Sequence, residues 1–265
     1  MRIKKALLLL VFLITAAALA FVIESRTGLK SEVILGGADG AFVSSDNLKE
    51  PLDDYDSSIE AEDKYKDLDF PNIDIEEWNY ILINSSHVIK DNTPDVSEAG
   101  DLGVTFDSRA VDQLIGLVQA ARQAGFDPYL ARGYVSYTAA TQQINEEATK
   151  LTAGGRLSFE EAVKIATKNS EVPGTSDHQT ALGVDITDKQ YDEYEYSKMN
   201  AKFFEWLDEH CAEYGFIKRY PSDKSGITGI DEPYHYRYVG AVAAKFIMEN
   251  GMCLEEFVDH YEYQK

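Results

Sequence analysis

Four side chains stand out for the chemistry they could do together: His178, Asp185, Glu232 and His235. His178 lies in Ser176-Asp177-His178-Gln179-Thr180, just after a Pro173-Gly174 turn. Asp185 follows inside the apolar run Leu182-Gly183-Val184-Asp185-Ile186. A lone carboxylate in such a run is costly to bury unless it is paired or binds a metal. A turn at His178 and a strand back to Asp185 bring both to one ion. Glu232 and His235 come in Asp231-Glu232-Pro233-Tyr234-His235. Pro233 imposes extended or turn geometry, so these two share no helix face and a bend must converge them. Two His and one Asp leave an open position for water, as a catalytic zinc requires. A nearby Glu outside the ligand set suits the general base. The competing reading is that each His makes a structural hydrogen-bond pair with a carboxylate. His87, His210 and His260 read as solvated or structural.

The rest of the chain narrows the options. Asp and Glu number 46 against 25 Lys and Arg, a net charge of -21 over 265 residues. Phosphate-backbone binding needs basic patches, so no nucleic-acid partner is expected. Cys211 and Cys253 allow one disulfide or none, and no four-cysteine zinc site. H-E-x-x-H, G-x-S-x-G, a Walker loop and a serine followed three residues later by lysine are all missing.

The elements that must hold these residues read as mixed. Tyr80-Ile81-Leu82-Ile83-Asn84 has the composition of a strand. Asp107-Ser108 can cap a helix carrying Val111, Leu114, Ile115 and Val118, which Gly125 ends. Pro128-Tyr129-Leu130-Ala131 leads into a strand or loop as far as Tyr134. Ser158-Phe159-Glu160-Glu161 is a capping box opening a helix to about Thr167. Leu182–Ile186 reads as a buried strand, Met199–Tyr214 as an amphipathic helix stopped by Gly215, and Phe216-Ile217 and Tyr236–Val239 as strands. Val239–Asn250 reads as the last helix. Short, closely spaced strands among helices indicate an α+β fold with a small antiparallel sheet.

Residues 1–24 read as a signal anchor or signal peptide. Arg2, Lys4 and Lys5 precede eighteen uncharged residues, Ala6–Ile23, nearly enough to cross a ~30 Å bilayer core. Ala18-Leu19-Ala20 resembles a cleavage site, whereas the apolar run continues through Phe21-Val22-Ile23 as in an anchor. The expected placement is a single-pass cell-membrane protein with an extracytoplasmic domain, or a secreted protein if the signal is cleaved. Residues 25–74 read as an acidic flexible linker, with thirteen acids and three lysines between Ala41 and Tyr80.

Ser176–Asp185 resembles the S-x-H-x-x-G-x-A-x-D signature of VanY-type D-alanyl-D-alanine carboxypeptidases, and Glu232–Gly240 resembles their E-P-W-H-x-R-Y-V-G block. Trp78–Asn84, Tyr214–Pro221 and Ile227-Thr228-Gly229 fit as well, so the likeness spans the globular part. The resemblance implies a zinc peptidase domain over 75–265, related to the hedgehog amino-terminal domain: a small antiparallel sheet flanked by helices. It implies Zn2+ held by His178, Asp185 and His235, with Glu232 as general base, and peptidoglycan stem peptides as substrate, trimmed of their terminal D-alanine. The oligomeric state is open, with a monomer as the default expectation. Ser136, Ser176 and Tyr234 are expected at the substrate, with Arg132 as a further candidate outside the family's own cation position. L,D-carboxypeptidase or endopeptidase action on the same substrates, or a non-catalytic zinc-bearing wall-binding domain, are the alternatives.

The sequence also departs from that pattern. Ala181 stands where Gly is usual and Gly183 where Ala is usual; Ala181 costs little if its φ stays negative. Tyr234 replaces Trp. In Arg132-Gly133-Tyr134-Val135-Ser136, Val135 replaces the expected Arg, and Ala140 an expected Gln. Arg132 could substitute for the missing cation if a bulge near Gly133 turns it to the site, with Arg219 and Arg237 as other candidates.

Overall fold

The computed structural model describes residues 64–90, 92–169 and 172–262. Its centre is a four-stranded, wholly antiparallel sheet in the order β3 (Tyr129–Arg132), β4 (Gly183–Thr187), β6 (Glu232–Tyr238), β5 (Phe216–Tyr220). A separate hairpin pairs β1 (Val96–Glu98) with β2 (Thr105–Asp107). The α+β architecture with small antiparallel sheets matches the sequence reading.

Alternate residues of the central strands feed two different cores, because successive side chains point to opposite faces. One face presents Leu130, Val184, Ile186, Phe216 and Tyr236 to helices α1 (Val111–Gln123) and α4 (Ala201–His210). Helix α1 contributes Leu114, Leu117, Val118 and Ala121, a stripe at helical spacing, and Gly125 follows it at φ 92°. From β5 and beyond β6, Ile217 and Val239 enter the other core, against α6 (Ala241–Glu249) and α7 (Leu254–Glu262), with the one-turn α5 (Ser225–Thr228) between β5 and β6. Between β3 and β4 lies a helical pair, α2 (Tyr137–Thr152) and α3 (Phe159–Asn169), with its own small core of Ile144, Ala148, Ala162, Val163 and Ala166. Ser158 and Glu161 cap α3 reciprocally, as their spacing indicated.

Several expectations need correction. Tyr80–Asn84 is no strand: Trp78–Tyr80 is a 3-10 turn, and the carbonyls of Asn79 and Ile81 accept hydrogen bonds from the Arg237 guanidinium instead of a ladder. Asp107 does not cap α1; it ends β2, and its carboxylate binds Arg109. Of the extended or turn geometry expected for Glu232–His235 the segment takes the extended one, so β6 begins at Glu232 and not at Tyr236. Helix α6 is not the last, since α7 follows it. Helix α2 escaped the sequence reading because its buried stripe is only Ala140, Ile144 and Ala148, too weak an apolar contrast to mark a face.

The linker boundary at 74 also moves. Phe70, Ile73 and Ile75 pack on the second core, and the buried Tyr65 hydroxyl donates to Glu256 and accepts from Lys224. Residues 64–74 therefore belong to the packed unit. The expected anchor at 1–24 and the linker up to 63 lie outside the described residues. No described helix is long and apolar enough to cross a membrane. Cys211 and Cys253 are buried free thiols, not a disulfide.

Candidate metal centre

The register of the sheet builds the first half of the site. Asp185 of β4 lies directly opposite His235 of β6, on the face turned away from Val184 and Ile186. Its Oδ1 is 2.8 Å from His235 Nδ1. His178 arrives from a 3-10 turn, Asp177–Thr180, immediately before β4, and its Nε2 is 3.4 Å from Asp185 Oδ2. The two imidazoles meet edge-on at 4.7 Å.

The turn is fixed from every side. Its N-terminal Ser176 Oγ accepts from the His178 amide, and Thr180 Oγ1 donates to the Asp177 carbonyl. The His178 carbonyl accepts from the Val135 amide, and the Gln179 side chain accepts from Gly174. The turn ends at Ala181 in the left-handed region, φ 58°, the one non-glycine residue with positive φ among those described. The sequence-based condition of a negative φ there is not met. Gly183 matters for another reason: a Cβ on it would lie 2.8 Å from His235 Nε2 and 2.8 Å from Asp177 Cβ.

His178, Asp185 and His235 are all buried, with candidate ligand atoms within 4.8 Å of one another. Burial pushes the Asp185 carboxyl up, but His178 and His235 outweigh it and hold it well below the usual carboxylate range. It is therefore ionised and ready to ligate. His235 Nε2 is buried without a hydrogen-bond partner among the described residues. Two imidazoles and a carboxylate converging on one point fit a borderline-soft divalent cation with a fourth position left over.

A charged layer lies beside this cluster. Asp177 is fully buried, with one oxygen 2.6 Å from Arg219 Nε and the other paired to the Arg237 guanidinium. Arg219 spans to α7 through a bidentate pair with Glu255, both bonds 2.7 Å. Burial pushes the Asp177 carboxyl up, but Arg237 and Arg219 hold it at about 2. Arg219 and Arg237 are thus occupied in the interior, which removes them as candidate substrate cations. Asp177 and Glu255 were not singled out from sequence, and Arg219 only as a candidate substrate cation. Their pairing spans 36 to 42 residues, and no local pattern reports it.

The other expected residues are placed as follows. Glu232 opens β6 opposite Tyr220, with a register shift between Lys218 and Tyr220. Arg132 ends β3 directly opposite Asp185, with a register shift between Leu130 and Arg132. That irregularity falls before Arg132 and not at Gly133. Gly133 itself is required by close approach, since a Cβ there would lie 2.6 Å from the Thr105 carbonyl oxygen. Ser136 Oγ caps α2 by accepting from Ala139, and Ser176 is buried in its own capping role. Tyr234 is half-buried and packs on Tyr194 with ring centroids 5.1 Å apart. Tyr194, also unforeseen, comes from the segment after β4.

A sequence profile described as VanY, D-alanyl-D-alanine carboxypeptidase, matches residues 103–241, which include the metal cluster and Glu232. The chain belongs to the VanY family. A D-alanyl-D-alanine carboxypeptidase of Enterococcus faecalis is 37% identical over 187 residues, covering 70% of this chain and 68% of the relative. A solved variant of the vancomycin-resistance D,D-pentapeptidase VanY, in complex with Zn(II), aligns with a TM-score of 0.56 at 35% identity, over 69% of this chain and 99% of the other. The LD-carboxypeptidase LdcB aligns with a TM-score of 0.52 at 27% identity, over 72% and 93%. As a VanY-family protein the chain is a peptidase, and His178, Asp185 and His235 fit the zinc of that family.

Proposed function

We propose that this VanY-family chain is a zinc-dependent D-alanyl-D-alanine carboxypeptidase that removes the terminal D-alanine of peptidoglycan stem peptides. The observation that carries the reading is the convergence of His178, Asp185 and His235 within 4.8 Å, inside the span matched by the family profile. Zinc, when bound there, supplies Lewis-acid polarisation of the scissile carbonyl and acidifies water. Glu232 takes the proton of the attacking water and delivers it to the leaving amine nitrogen. Arg132, opposite Asp185 at the end of β3, supplies positive charge for the C-terminal carboxylate of the peptide. Tyr234 forms a wall of the substrate site. Ser136 and Ser176 line it while holding the ends of α2 and of the metal turn.

Mass spectrometry of pentapeptide and tetrapeptide stems after incubation tests this reading. Loss of one D-alanine from the pentapeptide, abolished by a chelator and restored by zinc, is the expected result. Cleavage of the tetrapeptide alone would assign L,D-carboxypeptidase action instead, and zinc binding without any cleavage would assign a wall-binding domain. His178→Ala and His235→Ala are each expected to lose the zinc measured by elemental analysis. We further propose that residues 1–24 hold the enzyme on the outer face of the cell membrane as a monomer. A tagged full-length chain should then pellet with membranes and resist high-salt washing, because apolar burial is not screened by salt. Release of a chain starting near Phe21 would show a cleaved signal.

A further inference from the structure

We propose that Asp177, backed by the Arg219–Glu255 pair, is a positioning device for the metal ligand His178, so that metal affinity depends on the C-terminal helix α7. The inference rests on the reading that His178, Asp185 and His235 hold the metal.

Asp177 and His178 are adjacent in one 3-10 turn, so the backbone of one cannot shift without the other. His178 is the ligand that the sheet does not fix. Asp185 and His235 are locked by cross-strand register, whereas His178 sits in the turn before β4, tied from outside by the Val135 amide to its carbonyl. The left-handed Ala181 that ends this turn is a conformation L-residues avoid, so something outside the turn must hold it there.

The Asp177 carboxylate is suited to that task. It is fully buried and takes both guanidinium groups and the Tyr220 hydroxyl, the last at 3.3 Å. Arg219 carries the restraint onward. Its planar fork binds Asp177 with one edge and Glu255 with the other, so its place is set by the first turn of α7. Asn84 donates to the same Glu255 carboxylate. Arg237 ties Asp177 to the carbonyls of Asn79 and Ile81. Each charge in this layer is matched, so displacing α7 leaves Arg219 half-paired and frees the turn. Linkage makes the effect reciprocal: metal ligation by His178 must tighten α7 to the same extent.

The test uses Asp177→Asn and Glu255→Gln in the full-length chain, with zinc affinity read by chelator competition and melting temperature read on the metal-free protein. Loss of zinc affinity by about 10–100-fold in both folded variants is expected, the size typical of lost partners around metal ligands. Lower melting temperature with zinc affinity unchanged would mean a merely structural layer and overturn the proposal. If neither variant folds, Tyr220→Phe decides, because it removes one neutral hydrogen bond from Asp177 and keeps the ring beside His235. A several-fold weaker zinc affinity supports the device, and an unchanged one overturns it. Amide exchange of Leu254–Glu262 should also slow on zinc loading in the wild type. His178→Ala is the control: undiminished zinc binding there would overturn the metal assignment itself, and this inference with it.

Discussion

Ala181 shows how much one methyl group can decide. Its φ of 58° places Cβ against the following carbonyl, a cost of about 1–2 kcal/mol for an L-residue. Ala181→Gly is therefore expected to stabilise the metal-free protein by about 1 kcal/mol, raising the melting temperature by about 2–4 °C in a scanning calorimeter. Gly183→Ala should act in the opposite direction, since its methyl would press on His235 Nε2 and Asp177. Weakened zinc binding together with a lower melting temperature is the expected signature. Glu232 is a residue-scale question of another kind. It makes no part of the converging cluster, so Glu232→Gln should leave zinc content unchanged and the protein folded. Turnover of a D-Ala-D-Ala-terminated peptide should fall by about 100-fold or more. Lost zinc in that variant would move Glu232 into the ligand set.

At the scale of elements, helix α7 is joined to the sheet by charge as much as by apolar contact. Glu255 pairs with Arg219, and Glu256 with Lys224 and the Cys253 amide. Burial pushes both carboxyls up. For Glu255 the Arg219 charge outweighs it, and for Glu256 the hydrogen bonds from Lys224 and Cys253 do, so both lie below the ordinary glutamate value. A depressed folded-state pKa contributes stability that is present above the unfolded value of about 4.3 and is lost as pH falls through the folded one. The melting temperature of the metal-free protein should therefore drop as pH is lowered below about 4. A Glu255→Gln, Glu256→Gln double variant should begin lower at pH 7 and fall less steeply. A fall of equal steepness in both proteins would place the acid sensitivity elsewhere.

At the scale of the molecule, residues 64–75 strap the second core. Tyr65 joins the Lys224–Glu256 pair, Phe70 stacks on His260 with centroids 3.4 Å apart, and Pro71 accepts from Tyr261. Burying a large side chain contributes about 1.5–3 kcal/mol. A chain beginning at Trp78 should accordingly lose several kcal/mol relative to one beginning at Lys64, visible as a lower urea midpoint. Because the strap packs on α7, the shorter chain should also bind zinc more weakly. Equal midpoints would show that the strap adds nothing to the fold.

Features that depend on neighbours along the chain were legible without the fold. The capping box at Ser158, the apolar stripe of α1, the glycine stop at Gly215 and the two blocks around His178 and His235 are all local, and all sit in the structure as their spacing indicates. The sequence also singled out His178, Asp185 and His235, because a carboxylate in an apolar run must find a partner. Tertiary structure decided the rest. Which residue of β4 faces which residue of β6, and where β3 and β6 slip in register, are set by pairing between distant segments. The roles of Arg219 and Arg237 changed for the same reason: their counter-charges lie 36 to 60 residues away, and burial without those partners would be prohibitive. The positive φ of Ala181 and the fold-back of residues 64–74 belong to this class too, since each is held by contacts formed only when the cores close.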